Sequence, residues 1–258
     1  MKLTWFDANS WLIESAGLRV LVDPWLVGDL VFADLSWLVR GKRPKPIDIP
    51  QNIDLILLSQ GLADHAHPET LKTLDRSIPV VASVSGAKVA QSLHYESVTA
   101  VAHGEQLRWG EDARLIVEAF VGAPVGPTAK ENAYVLSFVS EEVRLYYEPH
   151  GYPDSEHLKQ VKPVDVAITP MADQVLMGIA PVVRGSAAAP QIAELLNPKV
   201  MLPTAAAGNV TYDGLIAPTL TTKGGVDQVR SLLCKQGTKT QLIQPTSGKT
   251  VELDLSQY

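Results

Sequence analysis

Two successions of the same kind of segment follow one another along the chain, and they limit its fold more than any single motif does. In each succession, short β-rich runs come first and strands that alternate with helices come next. Because a sheet or a helix must bury its apolar side against another layer, this pattern predicts two sheets packed face to face with helices outside. We therefore expect an α/β (α+β) protein, a four-layer α/β/β/α sandwich of two mixed sheets. The β-rich runs are 3–6, 10–15 and 18–22 in the first succession, and 97–101, 105–109, 113–121, 133–139 and 143–147 in the second.

The alternating segments are predicted from hydrophobic periodicity and from proline and serine at helix starts. Residues 178–185 are predicted to form a loop. Strands are predicted at 53–59, 78–84, 164–169, 199–202, 240–243 and 249–253, and helices at 67–74, 85–93, 155–160, 187–196 and 225–235.

The composition argues against several classes of partner. Hydrophobic residues make up 46% of the chain and charged residues 19%, so a sizeable core can form. The net charge of −6, with acidic and basic residues interleaved, argues against nucleic acid and anionic membranes, which need a concentrated positive surface. No apolar run reaches the ~18 residues of a membrane span, and the first residues show no apolar leader segment. We expect a cytoplasmic protein with its one cysteine, Cys234, in the core.

The segment 56–70 joins a buried strand to a helix through a tight polar turn. Side chains converge on open space where such a strand ends, so α/β proteins place their chemistry there. The turn holds Asp64, His65 and His67 within four residues. A carboxylate beside an imidazole is either half of a metal site or a buried hydrogen-bonded pair. His67, just before Pro68, also fits the start of the helix.

Residues 25–39 are unusually apolar for a connection, and a basic, extended segment at 40–46 follows them. One interpretation is a loop and short helix that cover the sheet, with an exposed basic tip. The other is a hydrophobic wall over an active cleft, or a docking surface for a protein partner or for a second copy in a homodimer.

The segment 59–65, SQGLADH, preceded by LVDPW at 21–25, resembles the metallo-β-lactamase fold superfamily, whose turn reads His-x-His-x-Asp-His after such a strand. The resemblance extends to 131–136 with 145–151, which is similar to the strand pair that delivers the family's metal-bridging aspartate. It also includes 200–203, which is similar to the strand that delivers the last histidine. The chain looks most like a divergent branch found in cyanobacteria and plants, which carries SQGLxDHxH and YYEPH in these places.

The resemblance implies the α/β/β/α fold in a single domain over 1–258, but the metal pattern departs from the family. Gln60 and Leu62 stand in place of the first two histidines, and 122–127 holds no histidine to match the third. Since those three residues hold the family's first metal, we expect that site to be absent. Ser59 and Gln60 instead offer a neutral polar pair at the floor of the cleft.

Of the family's second metal site, Asp64 and His65 remain, His150 replaces the bridging aspartate and Ala205 replaces the final histidine. Asp64, His65 and His150 are therefore predicted to form one mononuclear site, with Glu148 or His67 as a fourth group. Three N/O ligands and an open position are typical of catalytic zinc, and the same set suits manganese or iron. The alternative is that no metal binds, with Asp64 capping the next helix and His65 bonded to a backbone carbonyl.

Two functions remain open. The first is a metal-dependent, hydrolase-like enzyme that cleaves a small ester, lactone, amide or phosphoester, with Asp64 and Glu148 as catalytic residues. Alternation along 144–150 supports it, because Glu148 and His150 fall on one face of the strand. The second is a catalytically inactive binding or scaffold protein that keeps the fold.

Overall fold

Most strands of the protein belong to two seven-stranded sheets. The computed structural model describes residues 1–33, 35–125, 129–206 and 208–258. In chain order its strands are β1 (Lys2–Trp5), β2 (Trp11–Ser15), β3 (Leu18–Val22), β4 (Leu30–Val31), β5 (Arg40–Lys42), β6 (Leu55–Leu58), β7 (Val80–Ala82), β8 (Val98–Ala100), β9 (Gln106–Trp109), β10 (Leu115–Val125), β11 (Ala129–Phe138), β12 (Val143–Tyr147), β13 (Val166–Pro170), β14 (Ala172–Leu176), β15 (Ala180–Arg184), β16 (Val200–Thr204), β17 (Thr211–Asp213), β18 (Leu220–Gly224), β19 (Gln241–Leu242) and β20 (Thr250–Glu252).

The two large sheets repeat one strand pattern, and both are mixed. In the first, with the order β20–β1–β2–β3–β6–β7–β8, strands β1 to β3 are antiparallel and β3, β6, β7 and β8 are parallel. In the second, with the order β19–β16–β13–β12–β11–β10–β9, strands β9 to β12 are antiparallel and β12, β13, β16 and β19 are parallel. The predicted double succession is confirmed, except that β8 completes the first sheet instead of opening the second.

Helices cover the outer face of each sheet and complete the four layers. They are α1 (Pro68–Thr73), α2 (Val84–Ser92), α3 (Ser155–Leu158), α4 (Gly185–Leu196) and α5 (Val226–Gln236). Helices α1 and α2 pack on the first sheet, through residues such as Leu71 and Ala87. The other three cover the second sheet, through residues such as Leu158, Ile192 and Leu233. Among the described residues, no helix is long and apolar enough to cross a membrane.

The main core lies between the two sheets. Trp11, Val20 and Leu57 of the first sheet and Leu145 and Ile168 of the second are fully buried in one cluster. Because successive strand residues point to opposite faces, each strand supplies this core with alternate side chains. Burial of each large aliphatic side chain stabilises the fold by about 1.5–3 kcal/mol, so the facing sheets hold each other in place.

Two expectations are wrong. Residues 178–185 do not form a loop, because β15 pairs with β14 in a hairpin whose turn places Gly178 at φ +71°. Cys234 is exposed on α5 instead of lying in the core. Helix α5 buries Val229 and Leu233, which lie four residues apart on one face, and the residue after Leu233 therefore points away.

Candidate metal centre

The polar residues of the site lie where strands of both sheets end. Asp23 follows β3, the turn 59–65 follows β6, and residues 148–150 follow β12. Strands β3 and β6 are parallel neighbours, so their carboxyl ends reach the same edge of the first sheet. Strand β12 belongs to the second sheet, and it brings His150 against this edge.

The three predicted metal ligands, Asp64, His65 and His150, come together there. Each offers one ligand atom, and these atoms lie within 4.8 Å of one another. Nε2 of His65 is 3.1 Å from Oδ2 of Asp64, and Nε2 of His150 is 4.0 Å from the same oxygen. Within the described ranges, this is the one group of histidine, cysteine, aspartate and glutamate side chains with such spacing.

Both imidazole rings are held from behind by a fully buried carboxylate. Nδ1 of His65 is 2.7 Å from Oδ2 of Asp23, and Nδ1 of His150 is 2.8 Å from Oε2 of Glu131. When Nδ1–H donates to the carboxylate, Nε2 keeps its lone pair and faces Asp64. Metal-binding histidines are almost always oriented by such a second hydrogen bond. The two rings are thus placed as ligands that point to one position.

Asp23 and Glu131 are in turn fixed by further donors. Asp23 accepts the N–H and O–H of Ser59 at 2.7 and 2.6 Å, and the hydroxyl of Tyr147 at 2.7 Å. Glu131 accepts the Nε2–H of Gln60 at 2.9 Å. Ser59 and Gln60, predicted as a polar pair at the floor of the cleft, therefore support the carboxylates behind the rings.

The charges at the centre favour a positive ligand. Burial lowers the pKa of His65, but the carboxylates of Asp64 and Asp23 outweigh it and hold that pKa well above its ordinary value. Burial also lowers the pKa of His150, and Glu131 more than compensates, so this pKa is raised too. Burial raises the pKa of Asp64, yet the two imidazoles bring it below its ordinary value. Surroundings that stabilise protonated imidazoles also stabilise a metal cation, which binds by displacing those protons.

Two buried oxygen atoms at the centre have no hydrogen-bond partner among the described residues, Oδ1 of Asp64 and Oδ1 of Asn9. Nδ2 of Asn9 lies 3.3 Å from Nε2 of His65, and a half-turn of the amide exchanges its nitrogen and oxygen. Two ligand atoms on one tetrahedral zinc, with bonds of about 2.0–2.1 Å, lie about 3.3–3.4 Å apart. The separations of 3.1 and 3.3 Å from His65 are close to this value. The residues present therefore fit one divalent cation, and two nitrogen and two oxygen donors suit zinc, manganese or iron.

Glu148 has a different environment from the three ligands. Its carboxylate is fully buried and accepts the backbone N–H of His150 at 2.9 Å and of Gly151 at 2.6 Å. Burial, with the negative charge of Glu131 nearby, raises the pKa of Glu148 to about 7. The expected alternation does not bring Glu148 and His150 into one cleft, because the chain turns after β12 and the carboxylate folds beneath that turn.

His67 and Leu62 also lie outside the centre. His67 caps α1, since its Nδ1 accepts the N–H of Thr70 at 3.2 Å and its Nε2 lies 3.2 Å from a backbone carbonyl oxygen. Leu62 is 44% exposed. Within the segment 122–127, which holds no histidine, residues 126 and 127 lie outside the described residues.

An apolar cavity of about 340 Å³ adjoins the centre. Asn9, Asp64 and His150 line it, and most of the remaining wall is aliphatic. The segment 25–39 supplies Leu30, Phe32, Leu38 and Val39 to this wall. The segment therefore has the position expected of a hydrophobic wall over the cleft, although its Asp34 lies outside the described residues. It also covers the core, since Trp25 is fully buried.

The sequence patterns do not mark Asn9, Glu131 or Tyr147 as site residues. Glu131 carries a usable signal, because it stands with Asn132 beside a run of buried strand residues, and a charged group in such a place needs a partner. Asn9 carries none, since asparagine is common in turns for conformational reasons alone.

Comparisons with known proteins agree with this architecture. The sequence of residues 2–205 matches the model of the beta-lactamase superfamily domain. No curated protein matches the sequence. Three solved structures are only 12–15% identical to this chain, so their similarity to it shows a shared fold and nothing more.

Igni18, a novel metallo hydrolase from the archaeon Ignicoccus hospitalis KIN4/I, is 15% identical with a TM-score of 0.67. The isothiocyanate hydrolase from Delia radicum gut bacteria is 12% identical with a TM-score of 0.68. A possible metal-dependent hydrolase from Veillonella parvula DSM 2008 is 12% identical with a TM-score of 0.70. Each comparison covers 98% of this chain and 99% of the other. The family model spans most of the sequence, and the four-layer fold agrees with it. The chain therefore belongs to the beta-lactamase superfamily and has the metallo-β-lactamase fold.

Proposed function

We propose that this protein is a hydrolase-like enzyme that binds one divalent cation through Asp64, His65 and His150, with Asn9 as the fourth donor. One observation carries the proposal: both imidazoles direct Nε2 toward the same carboxylate while a buried carboxylate holds each Nδ1. A hydrogen-bonded pair that only stabilises the fold does not need two rings oriented toward a common point. The reaction expected at such a site is hydrolysis of a small ester, lactone, amide or phosphoester.

The residues around the centre have distinct roles in this proposal. A divalent cation supplies Lewis acidity toward a carbonyl oxygen and toward water. Asp23 and Glu131 hold the imidazole rings in the tautomer that presents Nε2. Asp64 is the catalytic carboxylate, because its Oδ1 has no partner among the described residues and can accept a proton from water in the cavity. Glu148, predicted as catalytic, becomes a positioning residue, since its oxygens hold the turn that carries His150.

One cation rather than two is proposed because the family's first site has no counterpart of the right chemistry. The amide nitrogen of Gln60 donates to Glu131 and its amide oxygen is a poor zinc ligand, while the side chain of Leu62 has no lone pair to offer. Ala205, in place of the final histidine, lines the cavity with a methyl group. The proposed site is therefore degenerate and mononuclear.

The cytoplasmic location of the protein remains a prediction.

The metal content of tag-free protein tests this proposal. We expect about one equivalent of zinc, manganese or iron by elemental analysis after loading and desalting, and a higher melting temperature in the loaded protein. His150→Ala should lose most of this metal. His157→Ala is the matched control, because His157 is exposed and pairs only with Asp154 in the described structure, and it should keep the metal.

Absence of bound metal under every loading condition, in protein that melts cooperatively, would overturn the metal-dependent mechanism. The catalytically inactive binding protein would then be the better hypothesis. One observation favours it in that event: Trp37, within the segment 25–39, is 62% exposed and is available to a protein partner or a second copy.

A further inference from the structure

We infer that the cavity beside the centre binds an uncharged, largely apolar molecule that carries a single carbonyl group, such as a short-chain aryl ester or amide. The hydrolysis of such a molecule rests on the function proposed above, but its binding does not. The fold alone does not indicate which class of ligand the cavity binds, because proteins of one fold carry out many different reactions.

The distribution of polar and apolar side chains in the wall supports this ligand class first. Five polar side chains line the cavity. Asn9, Asp64 and His150 lie around His65, with Asn9 3.3 Å and Asp64 3.1 Å from its Nε2, and the other two are Gln174 and Tyr212. Three of the five polar groups, including the one carboxylate of the lining, are therefore concentrated at one place. Away from them the wall is mainly aliphatic or aromatic, with residues such as Phe32, Leu38, Leu176, Val183, Ile216 and Leu220. Ligand sites of this kind bury an apolar body and orient it by a few polar contacts.

The distribution of charge is the second argument. None of the lining residues, all of which the structure describes, is lysine or arginine. Arginine and lysine are the side chains that proteins most often use to bind phosphate or carboxylate groups. The basic residues of the neighbouring strand β5 are already paired, since Arg40 and Lys42 contact Asp213 at 3.0 and 2.6 Å. An anion entering the cavity would lose hydration and meet the carboxylate of Asp64, at a cost of several kcal/mol.

A bound cation does not reverse this conclusion. The carboxylate of Asp64 lies at the centre, and Asp23 and Glu131 contact the two imidazoles from behind. Three carboxylates against a dication leave the region without a net positive charge. A neutral carbonyl oxygen can approach such a centre without the repulsion that a second anion would meet.

The size of the cavity limits the ligand. At about 30 Å³ for each water in the liquid, a volume near 340 Å³ corresponds to on the order of ten water molecules. A compound with about a dozen non-hydrogen atoms fits this room, and N-phenylbutanamide is one such compound. Larger ligands would extend toward the mouth, where Val182 of β15 is 41% exposed.

Binding of the uncharged dye N-phenyl-1-naphthylamine, whose fluorescence rises in apolar sites, tests the inference in protein treated with a chelator and again after metal loading. We expect saturable binding of about one dye in both states. N-phenylbutanamide should displace it at concentrations at least tenfold lower than butyrate or phenyl phosphate. Equal or better displacement by phenyl phosphate, or no saturable binding, would overturn the inference.

Two matched valines control for binding elsewhere on the surface. Val182 lines the cavity and Val139 does not, and their exposed fractions are 41% and 44%. Val182→Asp should weaken dye binding about tenfold, whereas Val139→Asp should leave it within twofold of the unmodified protein. Equal affinity in the two variants would place the dye outside the cavity and contradict the inference.

The outcome for the ligand is separable from the outcome for the metal. If the dye and the amide bind but no metal does, the proposed hydrolase fails and the binding site stands. If metal binds but the loaded enzyme cleaves bis(4-nitrophenyl) phosphate in preference to 4-nitrophenyl butyrate, the centre stands and the inferred substrate class is wrong.

Discussion

The side chain of Asn9 shows how a single residue can complete the candidate centre. It is 3% exposed, its nitrogen lies 3.3 Å from Nε2 of His65, and its oxygen has no partner among the described residues. An unsatisfied buried carbonyl costs about 1–3 kcal/mol, so an unpartnered oxygen next to His65 indicates a missing ligand. We take that ligand to be the cation held by Asp64, His65 and His150.

Replacement of Asn9 tests its role directly. In Asn9→Ala, the affinity for Co²⁺ should fall at least tenfold and the visible absorption of the cobalt protein should change, because one donor is lost. Asn9→Asp should restore the affinity, since a carboxylate oxygen takes the same place. Asn209→Ala, at an exposed asparagine, should leave both quantities unchanged. An unaltered cobalt spectrum and affinity in Asn9→Ala would rule out ligation by this residue.

At the scale of the element, the turn after β12 fixes the position of His150. On one side, the carboxylate of Glu148 accepts the backbone N–H groups of His150 and Gly151. On the other, the N–H of Arg184 donates to the carbonyl of His150 at 2.9 Å. Gly151 adopts φ +81°, and a Cβ added there would lie 2.6 Å from the backbone carbonyl of Arg184. Only glycine permits this close approach of the turn to the end of β15.

Gly151→Ala should therefore destabilise the fold by more than about 2 kcal/mol and weaken metal binding, because the turn must move away from β15. Gly104 provides a matched control. It has the same φ of +81°, but a Cβ added there meets nothing within 4 Å. Gly104→Ala should cost only the backbone strain of about 1 kcal/mol and leave metal affinity unchanged. Urea unfolding and metal titration of the two variants measure the difference, and equal losses would contradict the proposed packing constraint.

The elements differ in how well the sequence predicts them. Long strands with a regular period, such as β10, are recognisable because buried and half-buried residues alternate along the chain. Strands β4, β5 and β17, of two or three residues each, have no period to detect. The turn 59–65 identifies Asp64 and His65 because they are adjacent. Asn9, 56 residues from His65, is brought there only by the fold.

At the scale of the whole molecule, hydrogen bonds join the two sheets at the site as well as in the core. The hydroxyl of Tyr147 in β12 donates to Asp23 at the end of β3, and Tyr134 in β11 donates to the carbonyl of Leu58 in β6. Trp11 in β2 donates to Thr204 in β16 at 3.1 Å. The two halves therefore share both their apolar core and their polar contacts.

We expect the two halves to unfold together, as one domain over 1–258. Far-ultraviolet circular dichroism and tryptophan fluorescence should give the same urea midpoint. Leu145→Ala, in the second sheet, should lower the free energy of unfolding by about 2–5 kcal/mol and shift both midpoints equally, although most tryptophans lie in the first half. Two separate transitions would contradict a single domain.

The division of the centre between the halves has a consequence for the newly made chain. Asp64 and His65 leave the ribosome well before His150, and the strand whose Arg184 supports His150 follows later still. A nascent chain that ends before residue 150 presents two of the three proposed ligands and lacks strands β13, β16 and β19 of the second sheet. We therefore expect uptake of the proposed cation to be timed by synthesis: it requires a chain whose second half has emerged and docked, because an unfinished chain has no complete centre to fill.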